Sequence, residues 1–481
     1  MLSSLKSLIV NTTVIYIIEL FSRAFQFALI IYSARTLGVA AFGNLSYSLT
    51  IYFLFSVLSD FGFNMFLTRE VSQNPNAVGR ILGLALRFRT CVGIVIYIMF
   101  VAYLNLLEHS QDIRIFFVLT GLSVIFSSYA LNYILALRGL GRIKTDGLIR
   151  IAGSFIGTVV SLAGLKAGLG MQAIAVGISI GNVSMIVTSV LLDKQLGIAK
   201  ISGDLLTLSD YAEMLKRSVP FVLIVVISNV FQRVDTVLLQ HLKGSVEVGL
   251  YHAAFKITDA ILIFQTAFAI VLFPVLSSRI AAGELEVADE ITDFSIKYTA
   301  IIGVFLSVLT FMLADKIIEL MYFSTDYSAS GAGLKTLALV IFLLYISTPI
   351  GYLLLSSRFA YMAVWLNSIM LVANAGLNFA LIPHYGFMGA AAVRGVTELL
   401  GLSLTVLFVK RYIMQVRYFT HLWRPVIAGA AMAVVIYLAR SFLFLPLYFA
   451  VYAAILAATG AVSKKEIVFV RDVFLERINK L

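Results

Sequence analysis

The segment "VIYIIELFSRAFQF" (Val14–Phe27) is almost wholly apolar, yet it contains one acidic and one basic side chain, Glu19 and Arg23. Apolar residues continue on both sides, from about residue 11 to residue 34, which is long enough for a helix to cross the hydrocarbon core of a bilayer. A charge in hydrocarbon is costly unless it faces protein or water. The segment therefore predicts a transmembrane helix with one polar face.

The composition of the whole chain is that of a membrane protein. Of its 481 residues, 60% are hydrophobic and 13% are charged, whereas soluble domains carry about 25% charged residues. The mean hydropathy is +0.98. No small-residue cleavage site follows the first apolar segment, so we expect this helix to remain in the mature protein. The single cysteine, Cys91, predicts a small buried residue and no intramolecular disulfide.

Apolar stretches of about twenty residues predict about fourteen transmembrane spans, numbered here in chain order. Spans 1 to 6 lie near residues 11–34, 43–66, 82–106, 115–137, 148–168 and 171–192. Spans 7 to 12 lie near 219–241, 248–278, 297–321, 333–356, 359–382 and 388–409, and spans 13 and 14 lie near 423–441 and 444–461. The fold class predicted is an all-α polytopic membrane protein.

The basic residues are distributed unevenly between the segments that connect the spans. If both termini are cytoplasmic, the 36 Lys and Arg residues divide into 25 inside, 7 outside and 4 within spans. This is the positive-inside bias of membrane proteins, and it predicts a multi-pass protein with both termini in the cytoplasm. The formal net charge of +11 thus follows from topology, and we expect no nucleic-acid partner.

Two short echoes indicate an internal repeat of six spans. Gly38 and Gly43 are matched by Gly244 and Gly249, and segment 171–176 is matched by segment 388–393. Both fall at predicted outside turns, although Gly- and Ala-rich turns also resemble one another by chance. An even number of spans gives both halves the same orientation. We expect an N-lobe at 1–192, a cytoplasmic linker with an amphipathic helix at 193–218, a C-lobe at 219–409, and spans 13 and 14 with a cytoplasmic tail at 410–481.

Polar residues within the spans recur at intervals of three and four, so they share faces of helices. Span 1 carries Thr12, Tyr16, Glu19, Arg23 and Gln26, and span 7 carries Asn229, Gln232, Arg233, Thr236 and Gln240, with Asp235 at the margin. Span 8 carries His252, Lys256 and Asp259, span 11 carries Asn367, Asn374 and Asn378, and span 12 carries Arg394 and Glu398. Spans 1 and 7 correspond in the two halves, so their polar faces predict a central cleft. Alternatively, each acid–base pair along one helix neutralises itself and packs the lobe.

A polar cleft that opens to one side of the membrane at a time is the architecture of a transporter. Its charges nearly balance, which permits an anionic ligand without requiring one. His252 is interpreted as a packed residue in preference to a proton relay. The sequence contains no P-loop, and its predicted outside loops are too short for a catalytic domain. We therefore expect no enzyme activity, no metal and no cofactor.

Four ordered motifs resemble a known family. They are "ARTLGVAAFGNLSYS" (Ala34–Ser48), "SDFGFNMFLTREVS" (Ser59–Ser72), the series "QRVDTVLL", "VGLYHAAFKITD" and "LFPVLS" between Gln232 and Ser277, and "NAGLNFALIPHYGFMGAA" (Asn374–Ala391). With the predicted spans, they are similar to polysaccharide flippases of the Wzx type, which include O-antigen flippases of lipopolysaccharide synthesis. These belong to the multidrug/oligosaccharidyl-lipid/polysaccharide exporter (MOP) superfamily.

The resemblance implies two six-helix lobes around a central cavity plus two C-terminal helices, working by alternating access. It implies transport of undecaprenyl-diphosphate-linked oligosaccharide across the bacterial inner membrane, with membrane lipids, a polysaccharide polymerase and chain-length proteins as partners. Cationic cavity residues would bind the diphosphate and sugar acids. The candidates for substrate binding are Arg23, Arg233, Lys256, Gln26, Asn229, Asn374 and Arg394, and those for coupling to an H+ or Na+ gradient are Glu19, Asp235 and Asp259.

Three alternatives stay open from the sequence. A cation-coupled multidrug exporter and a flippase for the peptidoglycan precursor would use the same fold. A polymerase or ligase would alter chain length or attachment instead of transport, and the short outside loops disfavour it.

Overall fold

The computed structural model describes residues 2–60, 63–106, 110–196 and 226–462, with side chains in the first helix from Ser22 onward. The predicted linker helix, the start of span 7, the C-terminal tail and the Glu19 side chain lie outside this description. Fourteen α-helices are described, with a further helical segment at 226–231. They are α1 (Leu2–Asp60), α2 (Phe63–Gln73), α3 (Val78–Leu106), α4 (Gln111–Gly139), α5 (Ile143–Lys166), α6 (Gln172–Leu196), α7 (Val234–Lys243), α8 (Ser245–Ile261), α9 (Ile263–Ala281), α10 (Leu285–Tyr322), α11 (Ser330–Ser356), α12 (Met362–Tyr412), α13 (Tyr418–Ala439) and α14 (Leu445–Ala458).

The prediction of an all-α polytopic membrane protein is confirmed. Within the described ranges there is no β-strand, and nine helices are long and apolar enough to cross a membrane. Two shorter apolar helices, Leu272–Ala281 and Phe442–Ala458, accompany them. The count of fourteen spans stays a prediction. The interpretation of Cys91 as buried is wrong, because its side chain is exposed on α3, on a helix whose outward apolar residues face hydrocarbon.

Two of the helices, α1 and α12, are too long for one crossing. They contain 59 and 51 residues, which at 1.5 Å per residue is about 75–90 Å, more than twice the hydrocarbon core of about 30 Å. Each contains one glycine with non-helical angles, Gly38 (φ 76°, ψ 169°) and Gly386 (φ 55°, ψ −138°). Glycine reaches positive φ without the steric cost of a Cβ. The chain therefore turns where the sequence predicts connections between spans.

The first sequence echo corresponds to a reciprocal contact. Gly38 and Gly244 both have positive φ, at 76° and 87°. A Cβ on Gly43 would collide with the carbonyl oxygen of Ser245, and a Cβ on Gly249 would collide with that of Val39. Residues 39 and 43 precede residues 245 and 249 by the interval of the first echo, so the contact between the two segments is reciprocal.

Predicted span 8 is divided into α8 and α9 at Leu262. The hydroxyl of Tyr345 on α11 donates to the Ile261 carbonyl over 2.9 Å, and the Gln265 amide donates to the Leu344 carbonyl over 2.8 Å. The Tyr345 hydroxyl thus satisfies a backbone carbonyl next to the interruption, and Gln265 connects α9 to α11. Hydropathy alone shows no such interruption, because the residues on both sides are apolar.

The chain forms two compact units. One contains residues 1–252 and Leu371–Ala390, and the other contains Ala253–Met370 with residues 391–481. In the first unit, a core of buried residues joins α2, α3 and α4 around Leu67, Leu82 and Leu135. In the second, one core joins α9, α10 and α11, and another joins α10 to α13 and α14. Each unit therefore has an apolar core of its own.

Candidate functional site

Arg233 lies at a break in the predicted seventh span. Residues 226–231 are helical, a turn follows, and Arg233 is the N-cap residue of α7 with φ −129° and ψ −9°. Its guanidinium carbon is 5.0 Å from the centre of the Phe53 ring on α1. Such a cation–π contact lets a cation sit on an apolar surface. The break thus places a half-buried guanidinium against α1.

A cavity of about 260 Å³ lies beside Arg233 in the first unit. One wall is formed by α1 residues at helical spacing, among them Ile51, Leu54 and Leu58. The facing wall comes from the interrupted segment, with Val226, Asn229, Val230 and Val237, and Tyr103 of α3 completes it. Asn229, a predicted substrate-binding residue, therefore lines a largely apolar chamber.

Asp235 is the centre of a buried polar cluster in the first unit. Its side chain is only 2% exposed. The Tyr251 hydroxyl donates to Oδ2 over 2.5 Å, and the Thr236 backbone N–H donates to Oδ1 over 2.7 Å. Its place in the first turn of α7 also suits a carboxylate, because the helix dipole is positive there. Two hydrogen bonds and the end of a helix therefore hold this buried side chain in place.

His252 belongs to the same cluster. It is 1% exposed, and its Nε2 lies 3.0 Å from the Thr236 hydroxyl. That position agrees with the interpretation of a packed residue. Nearby along the chain, His241 Nε2 lies 3.3 Å from the Tyr47 hydroxyl, which also pairs with the Tyr103 hydroxyl. Polar contacts therefore join α7 to α1 and α3 within one unit.

Two other predicted sites are pairs along a single helix. Lys256 Nζ lies 4.0 Å from Asp259 Oδ2 on α8, with both side chains partly exposed. Arg394 Nε lies 3.4 Å from Glu398 Oε1 on α12, with both largely buried. These arrangements are those of the self-neutralising alternative. Asn374 is similarly paired along α12, since its amide oxygen accepts a 2.8 Å hydrogen bond from Asn378.

The turn at Gly386 is held by an acidic residue. Glu247, in the first turn of α8, accepts a 2.6 Å hydrogen bond from the backbone N–H of Phe387. A Cβ at Gly386 would collide with that carboxylate. This hydrogen bond connects α8, the helix that contains Gly249 of the first echo, to the turn just before segment 388–393 of the second echo.

The predicted residues are only partly brought together. One short segment of the first unit carries Asn229, Arg233 and Asp235. The same unit also contains Asn374, on α12. On α1, Arg23 is half-buried and Gln26 is exposed, while Glu19 lies on the helical part whose side chains are not described. Lys256, Asp259 and Arg394 belong to the second unit. That spans 1 and 7 face each other across a cleft stays a prediction.

Sequence analysis missed the partners that position these groups. Phe53, which lies against Arg233, belongs to none of the polar faces predicted from the sequence. Tyr251 lies within a quoted motif, but its spacing from Asp235 gives no sign of a hydrogen bond. Both are contacts between different helices. A regular pattern along one helix cannot predict them.

Two family models match more than half of the chain each. The polysaccharide biosynthesis protein model matches residues 8–279, and the lipid II flippase MurJ model matches residues 151–457. No curated protein sequence matches significantly. These families comprise transporters and flippases, not enzymes.

Solved structures of the same superfamily share the fold. A lipid II flippase MurJ in an inward closed conformation has a TM-score of 0.75 at 15% identity, covering 95% of this chain and 99% of that one. A multidrug resistance MATE family transporter of the MOP superfamily, inward-facing, has a TM-score of 0.69 at 15% identity, covering 81% and 95%. A MOP superfamily transporter from Pyrococcus furiosus has a TM-score of 0.61 at 14% identity, covering 83% and 95%.

The resemblance expected from the motifs is therefore confirmed. The chain belongs to the related families that the two models describe, polysaccharide biosynthesis protein and lipid II flippase MurJ, and so to the MOP superfamily of membrane flippases and transporters.

Proposed function

We propose that this flippase moves polyprenyl-diphosphate-linked oligosaccharide from the cytoplasmic to the outer leaflet of the bacterial inner membrane, with both termini in the cytoplasm. The observation that carries the proposal is the position of Arg233, a guanidinium of predicted span 7 that lies beside an apolar cavity. A lipid with an anionic diphosphate needs a cation for the diphosphate and an apolar surface for the lipid chain. The match to the polysaccharide biosynthesis family over residues 8–279 supports the sugar part of the substrate.

The site residues receive distinct roles in this proposal. Arg23 and Arg233 bind the diphosphate, because the planar guanidinium donates two parallel hydrogen bonds to phosphate oxygens. Lys256 and Arg394 add positive charge for sugar acids. The amides of Gln26, Asn229 and Asn374 bind sugar hydroxyls. Polysaccharide polymerase and chain-length proteins act on the product after release.

Transport is coupled to an H+ or Na+ gradient in this proposal. Asp235 is the acidic candidate whose surroundings support such a role most clearly, because it is buried and held by Tyr251 and Thr236. A buried carboxylate within a transmembrane span is a common element of proton or ion pathways. Glu19 and Asp259 are the other candidates.

The proposal is tested with purified protein in vesicles that contain a fluorescent polyprenyl-diphosphate oligosaccharide. We expect movement of the label between leaflets under an H+ or Na+ gradient. In cells, Arg23→Ala is expected to abolish surface polysaccharide while the protein still reaches the membrane. Vesicles that move no labelled lipid under any gradient, with intact folded protein, contradict the proposal. Efflux of a dye such as ethidium without lipid movement would indicate a drug exporter instead.

Lipid II is the second candidate substrate, and the MurJ family match over residues 151–457 favours it. The two substrates are distinguished by complementation. A strain depleted of its lipid II flippase dies, so rescue of growth by this chain would indicate lipid II. Rescue of a strain that lacks only surface polysaccharide, without rescue of growth in the depleted strain, would support the oligosaccharide.

A further inference from the structure

The apolar cavity of the first unit continues the helix face that carries Arg233. Five residues of the interrupted helix follow one another at intervals of three, one, three and four positions, so they share one side of it. They are Val226, Asn229, Val230, Arg233 and Val237. A turn joins the two helical parts, with the Arg233 N–H donating to the Val230 carbonyl three residues earlier over 3.0 Å. Four of these residues line the cavity, and the fifth is the cation.

The opposite wall repeats this arrangement. Ile51, Leu54, Phe55 and Leu58 line the cavity at intervals of three, one and three residues along α1. Phe53, between two of them in sequence, contacts the Arg233 guanidinium. The cation therefore lies against the same two helical segments as the cavity, although neither Arg233 nor Phe53 is among the residues that line it. An amphiphile bound here would place its apolar part in the chamber and its anionic part at Arg233.

The size of the cavity suits a short piece of prenyl chain. Apolar cavities of about 150 Å³ bind benzene, a six-carbon molecule, so the cavity of about 260 Å³ holds about ten carbon atoms, or two isoprene units. A cationic drug would instead face a like charge at Arg233, which disfavours it. A neutral apolar molecule would make no use of the guanidinium.

We infer that this cavity binds the first two isoprene units of the lipid carrier, the units next to the diphosphate that Arg233 contacts. The inference rests on the proposed function and goes beyond it, because it assigns a site for the apolar part of the substrate. The protein then recognises the prenyl chain of the lipid carrier and the oligosaccharide at separate sites. The oligosaccharide can vary while the carrier site stays constant.

The test uses a photoreactive farnesyl diphosphate with a diazirine on the second isoprene unit, added to the full-length protein in nanodiscs. Mass spectrometry is expected to find the label on residues 51–58 or 226–237. Labelling confined to other helices would overturn the inference without any need of a variant. Movement of labelled lipid-linked oligosaccharide is measured with the same protein in sealed vesicles, so failure of transport is recorded separately from failure of this site.

A filled cavity provides the second arm. Val230→Trp is expected to weaken labelling by about tenfold or more, because the indole occupies the space that the isoprene units need. The matched control is Val95→Trp, at a position on α3 that is 56% exposed, and it should label as the unmodified protein does. Equal labelling of both variants would overturn the inference. If Val230→Trp does not fold, Val237→Phe makes the same test with a smaller addition.

Competition identifies the chemistry of the occupant. Unlabelled farnesyl diphosphate is expected to displace the probe, while farnesol and a saturated lysophosphatidate compete at least about tenfold less well. Equal competition by farnesol would show that Arg233 plays no part. Equal competition by the lysophosphatidate would show a site for ordinary membrane lipid, and would overturn the assignment to the prenyl carrier.

Discussion

Arg233 and Arg394 are two arginines at membrane level with contrasting surroundings. Arg233 is half-buried, caps a helix that restarts within a span, and lies over the ring of Phe53. Arg394 is 7% exposed in the part of α12 that follows the Gly386 turn, with its Nε 3.4 Å from the carboxylate of Glu398 one turn later. One guanidinium is positioned by an aromatic ring from another helix. The other is balanced by its own helix.

This difference separates two reasons for a charge within a membrane span. An acid and a base one turn apart on the same helix neutralise each other, and such a pair can be structural. A cation at a helix interruption beside a cavity is typical of the broken helices that form transporter binding sites. The experiments on the two arginines use this contrast, and each would move one arginine from the first group to the second or back.

Breaking the buried pair is expected to have the largest effect. Arg394→Leu leaves Glu398 buried opposite no guanidinium, at a cost of about 3–5 kcal/mol in unfolding free energy. We expect loss of folded protein, measured by thermal unfolding and size-exclusion in detergent. The double variant Arg394→Leu, Glu398→Leu should recover most of the stability, since an apolar replacement of both partners is often neutral.

The double variant also decides the role of the pair in transport. Recovered folding together with recovered lipid movement would assign Arg394 to packing and remove it from the substrate-binding candidates. Recovered folding without lipid movement would place Arg394 beside Arg233 as a functional cation. Stability that is lost equally in the single and double variants would contradict the structural interpretation of the pair.

Arg233 is expected to show the opposite behaviour. Arg233→Leu should leave thermal unfolding close to that of the unmodified protein, and should reduce lipid movement by about 100-fold, the equivalent of one bidentate charge-assisted interaction. Arg233→Lys should retain part of the activity, because lysine keeps the charge but not the planar fork. Initial rates of lipid movement in vesicles are the measurement.

Arg358 supplies the matched control, because its guanidinium also lies over an aromatic ring, 4.8 Å from the centre of Phe359. It is exposed in the connection between α11 and α12. Arg358→Leu should transport normally. If Arg233→Leu behaves in the same way, the cation–π contact is packing and the proposed diphosphate site is lost.

Hydropathy predicted most of the helices because the bilayer imposes their length. The span near 333–356 is observed as α11 at Ser330–Ser356, and the span near 171–192 is observed as α6 at Gln172–Leu196. The interruptions near Arg233 and Leu262 could not be predicted in this way. They depend on hydrogen bonds and ring contacts from other helices, such as that of Tyr345, which leave no trace in a local average.

The candidate site was predictable to the level of helix faces and no further. The interval rule placed Asn229 and Arg233 on one face, and the structure keeps them on one segment. The interval rule does not predict which helix faces contact one another, because these contacts depend on packing between residues that are far apart in sequence. Phe53 and Arg233 are separated by 180 positions, and only the folded chain brings them into contact.

The Asp235 cluster should respond to smaller changes. Tyr251→Phe removes the hydroxyl that donates to the buried carboxylate, and should lower the unfolding free energy by about 1.5–3 kcal/mol. Tyr322→Phe is the matched control, since that hydroxyl donates to the neutral carbonyl of Ala253 over 2.8 Å and should cost about 1 kcal/mol. Equal losses would indicate that Asp235 carries no charge in the folded protein. In the Asp235→Asn background, Tyr251→Phe should lower the unfolding free energy by less than it does in the unmodified protein. The difference between the two losses is the coupling energy between Tyr251 and Asp235.

The smallest effect on stability is expected at the second pair along a helix, Lys256 and Asp259. Their charged atoms are 4.0 Å apart, and their side chains are 23% and 41% exposed, so solvent screens the interaction and it contributes about 0–1 kcal/mol. Lys256→Met and Asp259→Asn should each unfold at nearly the temperature of the unmodified protein. Because folding is preserved, any change in lipid movement reports on function alone. Loss of transport in Lys256→Met would join this lysine to Arg233 as a substrate-binding cation, whereas unchanged transport in both variants would place the pair with Arg394 and Glu398 as a structural neutralisation.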